Sequence, residues 1–323
     1  MDFGCLEAFH FKQDCCLSGM LRACLYEVSI AFLFLAALSL PKPSSSFNPA
    51  AIIRNSHRSD SIIMKAIGNI NSEIKDKQIQ PNEASGFIFD IDGTLADSWK
   101  LGFDATQVVL KNRNIPLITE ELYHECTRYC TPDRMARHAG LLPDNEDFSM
   151  VGQQLADEFD DLYVGLVSME TAGFYEGILD LLLSLQSSSG DKDGEIKLAA
   201  LTNACVAYAH AVLKINCPKL KNEDNTSDKG IYKSFSSIHG ADTVAKPKPF
   251  PDGLFQCCEE ISIPAEQCVY IGDSPSDAVA AKAAGMLAVG VLWGSHSLES
   301  LKNAPFDYMC ESVDDLRDLL VRK

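Results

Sequence analysis

The sequence predicts an α/β fold, a doubly wound parallel sheet, from three observations. Apolar runs of strand length recur at residues 87–89, 198–201, 269–271 and 287–292. Between them lie stretches with apolar residues at three- and four-residue spacing, the helical period, and strands alternating with helices build a parallel sheet covered on both faces. The first three runs each end in short polar side chains, and ligands of open α/β sheets bind beyond the carboxyl ends of the strands.

The amino end follows another logic. Residues 28–40 form an apolar run too short to span a bilayer comfortably, preceded by Arg22 and followed by Pro41, Pro43 and three serines. Residues 1–46 therefore have the anatomy of a signal peptide; an uncleaved anchor is the alternative, and a start at Met20 would give a neater signal. After Phe47, Arg54, Arg58 and Lys65 stand against Asp60 among serines and asparagines, so residues 47–85 read as a transit peptide and linker. A signal peptide joined through Ser-Ser-Phe to a transit peptide is similar to the bipartite leaders of plastids bounded by extra membranes. The expected location is the plastid, with the secretory pathway as runner-up, and the mature protein is expected to keep no stable membrane anchor.

The run Phe87-Ile88-Phe89 delivers Asp90 and Asp92 into a turn at Gly93. Residues i and i+2 of a strand point to the same side, so the carboxylates leave the strand end side by side. They repel unless a cation sits between them or one holds a proton. That cost in stability suggests chemistry, although Asp-Gly after a strand is also ordinary turn chemistry. From Asp97 to about Ser168 the chain reads as helices. Trp99 to Lys111 is one, with Trp99 and Phe103 as either cap core or pocket wall, core being preferred. Thr131-Pro132 supplies a cap and first-turn proline, with Gly140 as the stop. Phe148, Val151, Leu155, Phe159, Leu162 and Leu166 mark one buried helical face.

Gly177 to Leu185 predicts a further helix burying Leu179, Leu182 and Leu183, and residues 187–194 and 221–230 read as loops. The run ending at Leu201 closes on Thr202 and Asn203, and Asn203 can cap a helix over residues 204–215. Ala245-Lys246-Pro247-Lys248-Pro249 is, on its own, a solvated loop. After residue 271, Gly272-Asp273 ends a strand. Ser274 then caps a helix with Pro275 first, Asp277 in the capping-box position and Gly285 as the stop. Capping explains Asp277 but not Gly272-Asp273.

Together these segments resemble the four ordered motifs of the haloacid dehalogenase superfamily: a strand with D-x-D-G-T at residues 90–94, a strand closed by a hydroxyl at Thr202, a lysine in a K-P-x-P setting at Lys246, and G-D-x-x-x-D at residues 272–277. The resemblance runs from about Gly86 to the carboxyl end and fits the phosphoglycolate phosphatase and β-phosphoglucomutase branch. It implies a Rossmann-like core at residues 86–97 and 169–323 with a helical cap inserted at 98–168. It also implies a Mg²⁺-dependent phosphatase of a small phosphorylated metabolite, phosphoglycolate first among the candidates. Asp90 would be the nucleophile that forms an aspartyl-phosphate, and Asp92 the general acid and base. Lys246 would supply fixed positive charge, while Thr202, Asn203 and backbone N–H groups near Gly93 bind phosphoryl oxygens. Mg²⁺ would be held by Asp90, the carbonyl of Asp92, Asp273 and Asp277. The dehalogenases of the superfamily lack an aspartate at the position of Asp92, so its presence argues for phosphoester chemistry.

Two alternatives stay open: a phosphomutase sharing Asp90 and Asp92, and a non-catalytic binding protein on the same fold, against which the intact Asp90, Asp92, Lys246 and Asp273 argue. Composition narrows the partners. A net charge of -17 over 323 residues, with no basic stripe, gives nucleic acid no footing. No Gly-rich Walker-type loop is present. The 12 cysteines are scattered without a C-x-x-C pair, though Cys126 and Cys130 are spaced to share a helix face, and they read as reduced thiols. The oligomeric state is open.

Overall fold

The structure, a computed structural model, describes residues 79–187, 195–217 and 230–322. The leader up to residue 78 and the expected loops at 187–194 and 221–230 lie outside the described residues, apart from Ser187, which ends a helix, and Gly230, which caps a short 3₁₀ turn. The strands β1 (Gly86–Phe89), β2 (Lys197–Leu201), β3 (Phe235–His239), β4 (Cys268–Gly272), β5 (Leu287–Val291) and β6 (Tyr308–Cys310) form one parallel sheet in the order β3-β2-β1-β4-β5-β6. In register, Phe89 of β1 stands level with Ala200 of β2 on one side and Ile271 of β4 on the other. The residues that follow these strands therefore emerge at one height, where the strand order reverses, the place at which such sheets bind ligands.

Alternation along the strands divides the core between the two faces of the sheet. Phe87, Phe89, Leu198, Ala200, Val269 and Ile271 pack on one face, and Ile88, Ala199, Leu201, Cys268 and Tyr270 on the other. All four residues of β1 and all five of β4 are buried, as expected of central parallel strands covered on both sides.

Four helices fill the long connection after β1: α1 (Trp99–Asn112), α2 (Glu120–Cys126), α3 (Thr131–His138) and α4 (Phe148–Gly165). The chain then returns to the core through α5 (Ile178–Ser187). Beyond β2 follow α6 (Val206–Asn216), α7 (Asp252–Ile261), α8 (Pro275–Ala284), α9 (Leu298–Lys302) and α10 (Val313–Leu320). The capping expected at α8 is present: Ser274 and Asp277 form the box, and Gly285 takes the left-handed φ of 78°. Three local expectations need correction. Thr131 is not the cap of α3: Cys130 holds that position, and Thr131 is buried in the first turn. Cys126 ends α2 while Cys130 precedes α3, so the two do not share a helix. In α4, Gly152, Ala156 and Tyr163 complete the buried face, whereas Leu166 lies past the helix and is exposed. All eight described cysteines are free. Among the described residues no helix is long and apolar enough to cross a membrane.

The helical insertion is tied to the sheet through its two connections. Ala96 pairs antiparallel with Phe174, the Asp97 N–H donates to Gly173 O at 2.9 Å, and the Tyr175 N–H donates to Leu95 O at 2.9 Å. Asn216, buried at the end of α6, anchors this crossing: its Oδ1 accepts from the Phe174 N–H at 2.8 Å, and its Nδ2 donates to Ala172 O at 2.8 Å. Leaving a buried donor or acceptor unpaired costs about 1–3 kcal/mol each. Asn216→Ala should therefore lower the unfolding free energy by roughly 2–4 kcal/mol, read from urea denaturation; an unchanged midpoint would show that these bonds carry no net weight.

Candidate active site

Asp90 follows β1 directly, and its backbone N–H still donates to Ile271 O at 2.9 Å, so the sheet ladder fixes where the carboxyl starts. Asp273 follows β4 in the same way. Oxygens of Asp90, Asp273 and Asp277, all three buried, lie within 4.8 Å of one another. Gly272 and Gly93 make this approach possible. A Cβ on Gly272 would stand 2.4 Å from the Asp277 carboxyl carbon, and one on Gly93, whose φ is +76°, would stand 2.3 Å from Asp273 Oδ2.

One ammonium compensates the cluster, and it belongs to Lys248. Lys248 Nζ donates to Asp90 Oδ1 at 2.8 Å, to Asp277 Oδ1 at 2.7 Å and to the Tyr270 hydroxyl at 2.9 Å, which uses all three of its protons. The expectation for Lys246 is thereby corrected. Lys246 is exposed, and its Nζ lies 5.0 Å from the centre of the Phe250 ring. The register of the loop is set by Asn203: its Oδ1 accepts from the Lys248 N–H at 3.0 Å and its Nδ2 donates to Lys248 O at 3.0 Å. Asn203 is therefore not a helix cap; Cys205 occupies that position before α6. Asn203 also donates to Arg128 O of the insertion at 3.3 Å.

Asp277 sits beside Asp90, behind the Lys248 ammonium. Its Oδ1 also accepts from the Tyr270 hydroxyl at 3.1 Å, and its Oδ2 from the Ser274 N–H at 2.9 Å. Asp273 Oδ2 accepts from the Ser295 N–H at 2.7 Å, with His296 Nδ1 at 3.8 Å. Asp92 turns away from the carboxylate cluster toward hydroxyls. Its Oδ1 accepts from Ser98 Oγ at 2.5 Å, the Tyr208 hydroxyl at 2.6 Å and the Tyr163 hydroxyl at 2.7 Å, and its Oδ2 from Thr202 Oγ1 at 3.2 Å. Asp90, Asp92, Thr202, Asn203, Lys248 and Asp273 line one cavity together with Arg134, Tyr163 and Trp99 from the insertion. Trp99 is thus a wall as well as core. The sequence offered no signal for Lys248, Ser98 or Arg134 in the site, nor for the hydroxyls of Tyr163 and Tyr208, whose rings read as core.

Electrostatics follow from burial. Desolvation pushes the Asp90 carboxyl well above the usual carboxylate range; the Lys248 ammonium pulls it back, while Asp277 and Asp273 push it further up. Burial alone would lower Lys248, but the Asp277 and Asp90 carboxylates outweigh it and hold the ammonium above the ordinary lysine range. With all three carboxylates ionised, three negative charges face one positive charge. An all-oxygen, buried donor set with two negative charges in excess fits a hard divalent cation such as Mg²⁺; no thiolate or imidazole lies in the cluster, so it does not fit structural zinc.

An open α/β sheet with a buried carboxylate cluster at its switch point defines the class, and comparison with known proteins defines the family. A family model described as haloacid dehalogenase-like hydrolase matches residues 84–285, and the chain belongs to that family. It is 28% identical over 246 residues to a phosphoglycolate phosphatase from Escherichia coli O157:H7, covering 72% of this chain and 90% of the relative. A hydrolase from Pseudomonas syringae superposes with a TM-score of 0.55 at 25% identity, covering 72% of this chain and 96% of that one. The fold is also that of CbbY from Rhodobacter sphaeroides, solved in complex with phosphate (TM-score 0.56, 22% identity, 72% and 96% coverage). The chain is an enzyme of the haloacid dehalogenase-like hydrolases, similar to phosphoglycolate phosphatases.

Two outcomes test the site. Lys248→Ala should reduce phosphatase turnover by at least 100-fold, since pre-organised charge of this kind contributes about that much or more, while Lys246→Ala should stay within about twofold of the parent; the reverse pattern would return the role to Lys246. The second test concerns stability without divalent cation. The folded-state pKa of Asp90 is raised, so the folded form binds its proton more tightly than the unfolded form does. Below the unfolded pKa of about 3.9 both states are protonated and nothing is lost; as pH rises from there toward the folded pKa, the parent loses about 1.4 kcal/mol per pH unit. In chelator, Asp90→Asn should therefore match the parent near pH 3.5 and melt above it near neutrality. Thermal melts across pH decide this, and a variant less stable than the parent at pH 7 would contradict it.

Proposed function

We propose that this enzyme is a Mg²⁺-dependent phosphatase of a small phosphomonoester, with phosphoglycolate as the leading substrate, acting through an aspartyl-phosphate. The observation that carries the proposal is the buried Asp90 carboxyl, held by Lys248 at 2.8 Å on one oxygen with the other left to attack, in one cavity with the Asp92 carboxyl. Asp90, Asp273 and the backbone carbonyl of Asp92 would hold Mg²⁺, with Asp277 behind them fixing Lys248. When bound, the cation supplies the positive charge that keeps Asp90 ionised and offsets the charge of the phosphoryl group.

The chain's own residues do the rest. Asp90 Oδ2 attacks phosphorus, the bond from phosphorus to the ester oxygen breaks, and protonated Asp92 gives its proton to the leaving alkoxide. Asp92 then takes a proton from water as that water attacks the aspartyl-phosphate; the Asp90 carboxylate is released with inorganic phosphate and Asp92 is protonated again. The Lys248 ammonium supplies fixed positive charge beside the transferring oxygens, and Thr202 would add its hydroxyl; the expectation for Gly93 is corrected, since its N–H donates to Ala96 O at 3.0 Å and the Thr94 N–H to Ile91 O at 3.3 Å within the turn.

One feature favours an acidic substrate. Arg134 of the insertion lines the same cavity, is 8% exposed, lies over the Phe159 ring at 4.7 Å, and has an unpartnered Nε. A buried guanidinium calls for an anion, and a substrate carboxylate would meet it.

The deciding experiment is phosphate release from a panel of monoesters with Mg²⁺ and with chelator. The parent should prefer 2-phosphoglycolate over ethyl phosphate by at least tenfold in kcat/KM, and only with Mg²⁺. Arg134→Gln should erase that preference while retaining ethyl phosphate hydrolysis. Metal-independent turnover, or a preference untouched by Arg134→Gln, would refute the proposed substrate class.

A further inference from the structure

Asp92 Oδ1 carries an unusual load. Three hydroxyls, from Ser98, Tyr163 and Tyr208, converge on it at 2.5, 2.7 and 2.6 Å, whereas Oδ2 receives only the 3.2 Å contact from Thr202. A carboxylate oxygen has about two lone-pair directions. Oδ1 is therefore saturated, and Oδ2 alone remains free to exchange a proton within the cavity. The two tyrosines are built as a unit. Their rings stack at 4.0 Å with an interplanar angle of 15°, and their side chains are buried, with Tyr163 3% and Tyr208 0% exposed. Burial, and after it the Asp92 charge, pushes both phenols well above their ordinary range, so they stay protonated donors.

The donors come from three different parts of the chain. Ser98 ends the outbound connection, Tyr163 belongs to α4 of the insertion, and Tyr208 belongs to α6 of the core. The stacked pair thus joins insertion to core across the carboxyl of Asp92. We propose that Tyr163 and Tyr208 are positioning residues that clamp Oδ1, aim Oδ2 at the ester oxygen, and make the alignment of Asp92 depend on the insertion being seated against the core. The proposal rests on the assignment of Asp92 as the acid and base of the phosphatase reaction.

The test uses Tyr163→Phe, Tyr208→Phe and the double variant, each keeping its ring, with Asp92→Asn beside them. Two substrates separate positioning from general damage. 2-Phosphoglycolate releases an alkoxide and needs the proton from Asp92; p-nitrophenyl phosphate releases a stable phenolate and forms the aspartyl-phosphate without it. The tyrosine variants should lose about tenfold or more in kcat for 2-phosphoglycolate with KM within about threefold, since general acid–base catalysis contributes about 10²–10⁴. Their first-turnover release of nitrophenolate, followed by rapid mixing, should stay within about twofold of the parent. Equal losses on both substrates would make the tyrosines merely structural and overturn the proposal, as would unchanged 2-phosphoglycolate turnover. Parent-like turnover of 2-phosphoglycolate by Asp92→Asn would instead overturn the assignment of Asp92 itself, and the clamp with it.

Discussion

A buried ammonium shared by two buried carboxylates governs this molecule. Lys248 has no water to fall back on, so each of its protons must find an oxygen, and Asp90, Asp277 and Tyr270 provide them. An ion left unpaired in such surroundings costs several kcal/mol. The rest of the core can be understood as satisfying that demand. β1 ends at Asp90, and β4 lends Tyr270 from its sheet face. Gly272 leaves out the side chain that Asp277 would strike, and Asn203 pins the backbone of Lys248 through both its N–H and its C=O. Four segments far apart in sequence are thus locked to one another by a single charge.

The insertion is bound to this core by different means. Its connections pair backbone to backbone at Ala96 and Phe174, and Asn216 satisfies the groups left over. At the cavity, contact runs through Asp92 and through Asn203, which donates to Arg128 O. Groups that handle the reaction are therefore also the groups through which insertion and core meet. Apolar packing joins them as well, since Leu155, Phe159 and Tyr163 of the insertion belong to the same buried cluster as Ala204 and Tyr208 of the core.

Much of the site was legible because it sits where regular structure stops. Asp90, Thr202 and Asp273 follow apolar runs, and each run ends where the small and polar residues begin. Ser274, Asp277 and Gly285 were readable from capping chemistry alone. Lys246 and Lys248 were not separable, because they flank Pro247 in an irregular loop and no period says which faces inward. The answer came from Asn203, whose amide is equally suited to a helix cap and to a backbone clamp. Tyr163 was hidden for another reason. It follows Phe159 by four residues on the apolar stripe of α4, and a tyrosine there reads as core, its ring accounting for the pattern and its hydroxyl adding nothing visible. Arg134 lies among charged residues in α3 and looks like a solvated face until Phe159 and Tyr123 cover it.

In the proposed mechanism Asp90 and Asp92 are handled in opposite ways, and the difference has a chemical logic. Asp90 must stay ionised to attack, and a fixed cation beside it favours that form. Asp92 must gain and lose a proton in each cycle, and a cation bonded to it would hold it ionised and spoil its service as an acid. Neutral hydroxyls orient it with a weaker pull toward the ionised form than a bonded cation would exert. They must also not exchange protons with it, and here burial helps: the same desolvation that would harm a catalytic tyrosine pushes Tyr163 and Tyr208 out of the range in which they could titrate. One low-polarity environment therefore strengthens the grip on the nucleophile through Lys248 and keeps the clamp on Asp92 inert, leaving its free oxygen as the route for the proton.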